Sequence, residues 1–352
     1  MNNNQLRIEQ YDTVLYNSNL NPMGVPQSVT KAMADYANAV IRYPDSYYPA
    51  LKSAIATYAR CKEEHIILGS GSSDLLRQYV QLLAPKKAML LVPCFSEYEK
   101  VLKTFGCEIV YYNLSEESNF QFDISDFVGH IDSSIDLIIL GNPNNPTSQI
   151  ISRDDMETMA EICTALETFL IIDEMYVEFV DKYQDITSVP LVKDYDNIAV
   201  LRSCSKFFAV PGLRLAYAIM SNQEYLDKSK LISAPNPVSS ITAAVCTEMF
   251  KDRKYIESSQ SQIFTERNLI YSAMSTNKNV KLFRPSANFM LVKILKDDVS
   301  ANQITDHCKL KGIMIRNCED IRGLSDKYIR FCFMKPSQND LLVNTILELL
   351  KD

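Results

Sequence analysis

The stretch His65–Leu114, HIILGSGSSDLLRQYVQLLAPKKAMLLVPCFSEYEKVLKTFGCEIVYYNL, decides the fold. An apolar run reaches a Gly/Ser turn and gives way to an amphipathic helix pattern. KAMLLVP is a second buried run, SEYEKVLKTFG a second helix ended by Gly106, and CEIVYYNL a third strand. Downstream, IDLIILGNPNNPTSQ, FLIIDEMYVEF and NIAVLRSCSKFF are further buried runs. ISRDDMETMAEICTALET, which opens on a capping serine, reads as a helix between the first two of them. Strands that are apolar throughout are covered on both faces. Helices between them imply right-handed crossovers and a mostly parallel sheet sandwiched by helices, an α/β architecture.

After Pro235 the character changes. A long polar helix pattern runs from about Ile241 to Ser275, followed by KLFRPSANFMLVKI, a helix near SANQITDHCKLKG, and YIRFCFM. The expected division is an N-terminal arm over 1–48, a large domain over 49–235, a linking helix over 236–275, and a small α+β domain over 276–352. The arm is expected to join or strap across the small domain. A chain of 352 residues exceeds the size at which one core stops growing, which agrees with two units.

The formal net charge of -7 gives no general attraction to nucleic acid or to an anionic membrane. No apolar run approaches the length of a membrane span. Nine cysteines in apolar contexts, without a C-x-x-C pair, suggest buried thiols in a reducing cytoplasm. The opening MNNNQLRIEQYD has no signal-peptide pattern. The three histidines have no ligand partners at metal spacing, so no metal site is expected.

In such sheets ligands collect beyond the carboxyl ends of the strands, and the unusual residues fall there. GSGSS, Gly69–Ser73, supplies free backbone N–H groups and a helix dipole suited to a phosphate. NPNNPTS, Asn142–Ser148, can point the Asn145 amide into a cleft. Asp173 ends an apolar strand and is costly there unless paired. Lys206 lies among Phe207, Phe208, Ala209 and Val210, and apolar surroundings with Arg214 nearby favour its neutral amine. Singly, these are also a plain turn, a solvated rim acid and a lysine reaching to water.

As a set, NPNNPTS, DEMYVEF and SCSKFFAVPGLRLAY resemble the class I/II aminotransferases, the fold type I pyridoxal-phosphate enzymes, over nearly the whole chain. The resemblance implies a homodimer with shared active sites and pyridoxal 5'-phosphate as cofactor. It implies Lys206 as the Schiff-base lysine and Asp173 as partner of the pyridine nitrogen. Tyr176 and Asn145 would bond the ring's phenolic oxygen, and Phe95, in PCFSEY, would stack on the ring. Gly71, Ser72, Ser203, Ser205 and Arg214 would hold the phosphate, with Tyr43, in RYPD, reaching it from the other subunit. Arg330, in YIRFCF, would grip a substrate carboxylate as a fork. Two departures stand out. Ser148 replaces the family's usual glycine, a change expected to affect local backbone more than chemistry. APNPVSS, Ala234–Ser240, lacks a tryptophan that relatives often carry, which bears on the shape of the substrate pocket.

Within the family, YNSNLNPMGVP and RYPD resemble histidinol-phosphate aminotransferases, whereas PCFSEYEK and IRNCEDIRGLSDKYIR resemble threonine-phosphate decarboxylases. Both groups handle small phosphorylated amino compounds. That makes Asn19, Arg316 and Arg322 candidates for binding a substrate phosphate, although the arginines read equally well as a solvated basic loop. The decarboxylases carry a His-Gly-Gly-Asn segment near the N-terminus that this arm lacks, which favours aminotransfer. Decarboxylation of O-phospho-L-threonine or O-phospho-L-serine is the alternative.

Overall fold

A computed structural model describes residues 13–351. The opening of the arm, with its expected lack of a signal segment, therefore lies outside the described residues. The strands are β1 (Val14–Leu15), β2 (Ile66–Gly69), β3 (Lys87–Val92), β4 (Glu108–Asn113), β5 (Leu137–Gly141), β6 (Phe169–Asp173) and β7 (Ile198–Ser203). They continue with β8 (Ala216–Ile219), β9 (Val280–Leu282), β10 (Phe289–Ile294), β11 (Ile313–Met314), β12 (Arg316–Asn317) and β13 (Tyr328–Cys332). Seven form the large sheet in the order β2-β8-β7-β6-β5-β3-β4, and β12-β13-β10-β9 form a smaller antiparallel sheet.

The continuous apolar runs have a direct cause. In β5, Leu137 and Ile139 face one buried cluster while Ile138 and Leu140 face another. In β6, Phe169 and Ile171 likewise part from Leu170 and Ile172. Successive side chains point to opposite faces, and helices cover both, so neither face tolerates an alternating polar pattern. Helices Ser72–Leu83, Ser96–Thr104 and Arg153–Ala165 follow β2, β3 and β5. The Ser152 hydroxyl accepts the Asp155 N–H and caps the last of these, as its sequence predicts.

Two elements differ from the expectation. The pattern from about Ile241 to Ser275 is two helices, Ser240–Met249 and Arg253–Ser275. Asp252 leaves the helical conformation and accepts the Tyr255 N–H at 3.0 Å, so a capping aspartate restarts the chain where apolar periodicity alone runs on. The second is β8, which lies antiparallel between β2 and β7, directly after the stretch bearing Lys206.

The arm meets the small sheet region as a short parallel pairing of β1 with β11, and the Tyr16 carbonyl accepts the Cys332 N–H at 2.9 Å. All nine cysteines are free thiols, eight of them buried. Among the described residues no helix is long and apolar enough to cross a membrane, and no His, Cys, Asp and Glu cluster could hold a metal ion.

Candidate active site

Adjacent strands bring the predicted residues to one end of the large sheet. Ala216 of β8 stands opposite both Gly69 of β2 and Ser203 of β7. The turns after β2 and β7 therefore meet across one short strand. On the other side, Asp173 of β6 is opposite Gly141 of β5 and Leu201 of β7. Loops leaving β2, β3, β5, β6 and β7 thus converge, as expected at the carboxyl ends of parallel strands.

Lys206 sits on the one-turn helix Cys204–Phe207, whose first N–H groups are capped by Ser203 Oγ accepting from Ser205 N at 3.2 Å. Its Nζ donates to the Ser18 carbonyl at 2.7 Å. Burial first, then the nearby Arg330 guanidinium, pull its pKa down to about 8. Arg330, more than Arg214, is therefore the cation that favours the neutral amine. Arg330 lines the same cavity as Lys206, whereas the Arg214 guanidinium turns to the Ser70 carbonyl and Pro211 carbonyl.

Asp173 is buried and has no cationic partner among the described residues. Oδ2 accepts from the Tyr98 hydroxyl at 2.8 Å and Oδ1 from the Met175 N–H at 3.0 Å. Burial pushes its pKa up to about 6, and these two donors hold it from going further. Tyr176 is buried, accepts from Asn19 Nδ2 at 3.3 Å, and has its phenol pKa raised by burial.

A cavity of about 230 Å³ lies between these groups. Of the predicted site residues, Lys206, Asp173, Tyr176, Asn145 and Phe95 line it, and so do Asn19, Arg316 and Arg330. Arg330 donates to Asn145 Oδ1 and, at 2.9 Å, to the Asn17 carbonyl. Phe95 stands edge-on to Tyr98, with ring centroids 5.7 Å apart.

Gly71, Ser72, Ser203, Ser205 and Arg214 form a cup beside that cavity, not in its lining. Ser203 Oγ donates to Ser205 Oγ at 3.0 Å. Gly71 precedes the helix Ser72–Leu83 with φ +98°, and a Cβ there would collide with the Arg214 guanidinium. Only glycine lets the arginine close over this helix N-terminus.

Two predicted residues are elsewhere. Tyr43 is 89% exposed, away from the cavity. Arg322 does not line the cavity; it pairs with Glu99 at 3.2 Å and lies over the Tyr111 ring at 4.0 Å. Arg316 lines the cavity while paired with Asp320 at 2.7 Å. Sequence reasoning missed Tyr98, Asn17 and Ser18, all in the lining. Tyr98 lies three residues after Phe95, which places it on the same first helical turn; that spacing is the one signal that could have found it.

The residues present fit a planar, phosphorylated cofactor. Asp173 is a buried carboxylate with no cation beside it, and Asn19 Oδ1 and Arg330 Nε are buried without partners, among the described residues; the cup offers hydroxyls, helix N–H groups and a guanidinium.

Residues 11–346 match the sequence profile of the family described as aminotransferase class I and II. The chain belongs to that family. Class I/II members use pyridoxal phosphate and act on small amino compounds. A protein of Caldanaerobacter subterraneus subsp. tengcongensis, provisionally named threonine-phosphate decarboxylase, is 32% identical over 95% of this chain and 90% of its own length. The threonine-phosphate decarboxylase of Salmonella typhimurium is 28% identical over the same shares, 95% and 90%. The crystal structure of the histidinol-phosphate aminotransferase from Clostridium acetobutylicum superposes with a TM-score of 0.89 at 29% identity, covering 96% of this chain and 99% of that one. The α/β architecture is thus that of the class I/II family, with a mixed, mostly parallel sheet between helices.

Proposed function

We propose that this class I/II enzyme is a pyridoxal-phosphate-dependent aminotransferase acting on a small phosphorylated amino compound, with the cofactor carried on Lys206. The observation that carries the reading is the arm. Ser18 receives the Lys206 amine and Asn17 receives Arg330, so the segment that distinguishes the two subgroups by sequence forms the wall over the reacting lysine.

When bound, pyridoxal phosphate links covalently to an amino group and withdraws electrons from the carbon that bears it. The chain's own residues do the rest. Lys206, with a pKa of about 8, is partly neutral near pH 7 and can take a proton from that carbon and return it. Asp173, ionised above about pH 6, keeps a negative charge buried where the ring nitrogen would lie. Tyr176 and Asn145 would bond the ring oxygen, and Phe95 would cover one face. Gly71, Ser72, Ser203, Ser205 and Arg214 would hold the phosphate. Arg330 would exchange the Asn17 carbonyl and Asn145 Oδ1 for the two oxygens of a substrate carboxylate. Asn19 and Arg316 are proposed to hold a substrate phosphate. Arg322 is left out of that role because Glu99 and Tyr111 already hold it.

Residues 49–235 and 276–352 are proposed as the two domains, joined by 236–275. Exposed Tyr43 is proposed to reach the cofactor phosphate of a second copy, which makes the working form a homodimer. Tyr43→Phe should then weaken cofactor retention, and a monomer with full activity would contradict the shared site.

The second reading is decarboxylation of O-phospho-L-threonine or O-phospho-L-serine. The two relatives bearing that name favour it. The same residues serve both reactions, which differ in which bond at the amino-bearing carbon breaks. A substrate panel separates them. L-Glutamate with phosphorylated ketones should yield 2-oxoglutarate. Carbon dioxide from phosphoserine or phosphothreonine, without any 2-oxoglutarate, would overturn the aminotransfer reading.

A further inference from the structure

Ser148 closes the loop that carries Asn145, and it is an unfavourable residue for its backbone. Its φ is +62°, in the left-handed region that strains a residue with a side chain and not glycine. It is also fully buried.

The hydroxyl offers a reason. Ser148 Oγ accepts the N–H groups of Ala287 at 2.8 Å and Ser286 at 3.1 Å, and the Ser148 carbonyl accepts the Ser286 N–H at 3.1 Å. These amides lead directly into β10, whose Leu291 is the cross-strand partner of Arg330 on β13. The next residue, Asn288, donates to the Asn19 carbonyl at 3.0 Å. On the loop side, the Ser148 N–H donates to the Asn144 carbonyl at 2.8 Å, folding the chain around Asn145, which in turn accepts from Arg330. A glycine would take this φ without strain and leave the buried Ala287 N–H without this acceptor. The effect of Ser148 is thus not confined to local backbone: it joins two segments 138 residues apart.

We propose that Ser148 is a positioning residue that pins the start of β10 to the Asn142–Ser148 loop and so sets Arg330 for the substrate carboxylate. This rests on the reading of Arg330 as the carboxylate anchor. Ser148 touches neither cofactor nor substrate in this account; its effect passes through β10 and Asn145.

The test uses the pyridoxal-phosphate-loaded enzyme and three variants, Ser148→Gly, Ser148→Ala and Arg330→Lys. Glutarate, a dicarboxylate without an amino group, is titrated against the cofactor's absorbance. Amide hydrogen exchange is followed at Ser286 and Ala287 without ligand. In both Ser148 variants the Ala287 amide should exchange at least about tenfold faster, as expected for a lost hydrogen bond, while the Ser286 amide, which keeps the residue-148 carbonyl as acceptor, should change less. Both variants should also weaken glutarate binding by about three- to tenfold and keep the cofactor content and free-enzyme spectrum of the wild type. The two variants should differ in melting temperature, because only alanine keeps the left-handed strain. Unchanged exchange, or exchange that rises while glutarate binds as before, overturns the inference and leaves the Arg330 reading intact. Wild-type enzyme that does not bind glutarate, or Arg330→Lys that binds it as the wild type does, sinks the Arg330 reading and the inference with it.

Discussion

Asp173 and Glu174 are adjacent at the end of β6 and face opposite sides of it. Glu174 is fully buried and surrounded by donors. Arg202 reaches it from Nε at 3.1 Å and from its terminal nitrogen at 2.9 Å, the Thr187 hydroxyl at 2.7 Å, and the Ser188 N–H at 2.5 Å. Asp173 has two donors and, among the described residues, no cation. The same alternation repeats on β7, where Arg202 faces Glu174 and its neighbour Ser203 faces the cofactor cup. One face of these two strands carries a closed ion pair that holds β6 to β7. The other carries a carboxylate with no cation beside it among the described residues.

The largest effect should come from breaking the closed pair. Glu174→Ala leaves the buried Arg202 guanidinium without its hydrogen-bonded partner, with only the Glu178 carboxylate 3.9 Å away, a loss of about 3–5 kcal/mol. Denaturant unfolding of the cofactor-free protein should show it, and a wild-type midpoint would refute the structural role assigned to this pair.

Asp173→Asn should do the opposite. The folded carboxyl has its pKa raised from 3.8 to about 6, so between these values the folded state holds a proton that the unfolded state has lost. This group's contribution to stability falls as pH rises through that window. Above pH 6 the ionised form costs on the order of 2–3 kcal/mol. Cofactor-free Asp173→Asn should therefore be more stable than the wild type at pH 7.5 by about that amount, with the gain fading below pH 4. The same variant should bind pyridoxal phosphate poorly. Equal stability at pH 7.5 would show that solvent already compensates the charge.

Tyr98→Phe is a smaller perturbation of the same site. It removes the hydroxyl that donates to Asp173, worth about 1.5–3 kcal/mol for a charged acceptor. The Asp173 pKa should rise above about 6, and the decline of cofactor-free stability with pH should shift upward accordingly. An unshifted profile would mean that Tyr98 does not hold the carboxylate in solution.

The smallest effect concerns Lys206. Its amine should titrate near pH 8, read from the pH dependence of labelling by an acylating reagent in the cofactor-free protein. Arg330→Met removes a neighbouring positive charge, so the labelling curve should move to higher pH. A curve that stays in place would leave burial and Arg214 as the causes.

The contrast also shows which parts of the molecule the sequence could reveal. The buried strands, and the turns carrying Gly71, Asn145, Asp173 and Lys206, are local: apolar runs and turn residues announce them where they stand. The substrate end is built from the arm, the Asn142–Ser148 loop and the small sheet, which are remote in the chain. Asn17 and Ser18 act there through backbone carbonyls, which carry no residue signature. Arg316 and Arg322 are alike in sequence, and only packing against Asp320 or against Glu99 and Tyr111 separates them. Ser148 reads as a turn detail because its partners, Ser286 and Ala287, lie in the remote turn that leads into β10. Asp252 broke a helix that periodicity alone would have continued.

Lys206 is the residue proposed to carry the cofactor. Purified protein incubated with pyridoxal phosphate, reduced with borohydride and mapped by peptide mass spectrometry should carry the pyridoxyl label on Lys206. Lys206→Ala should lose both the label and the cofactor's near-ultraviolet or visible band. A label confined to other lysines, or none at all in wild-type protein, would contradict that role.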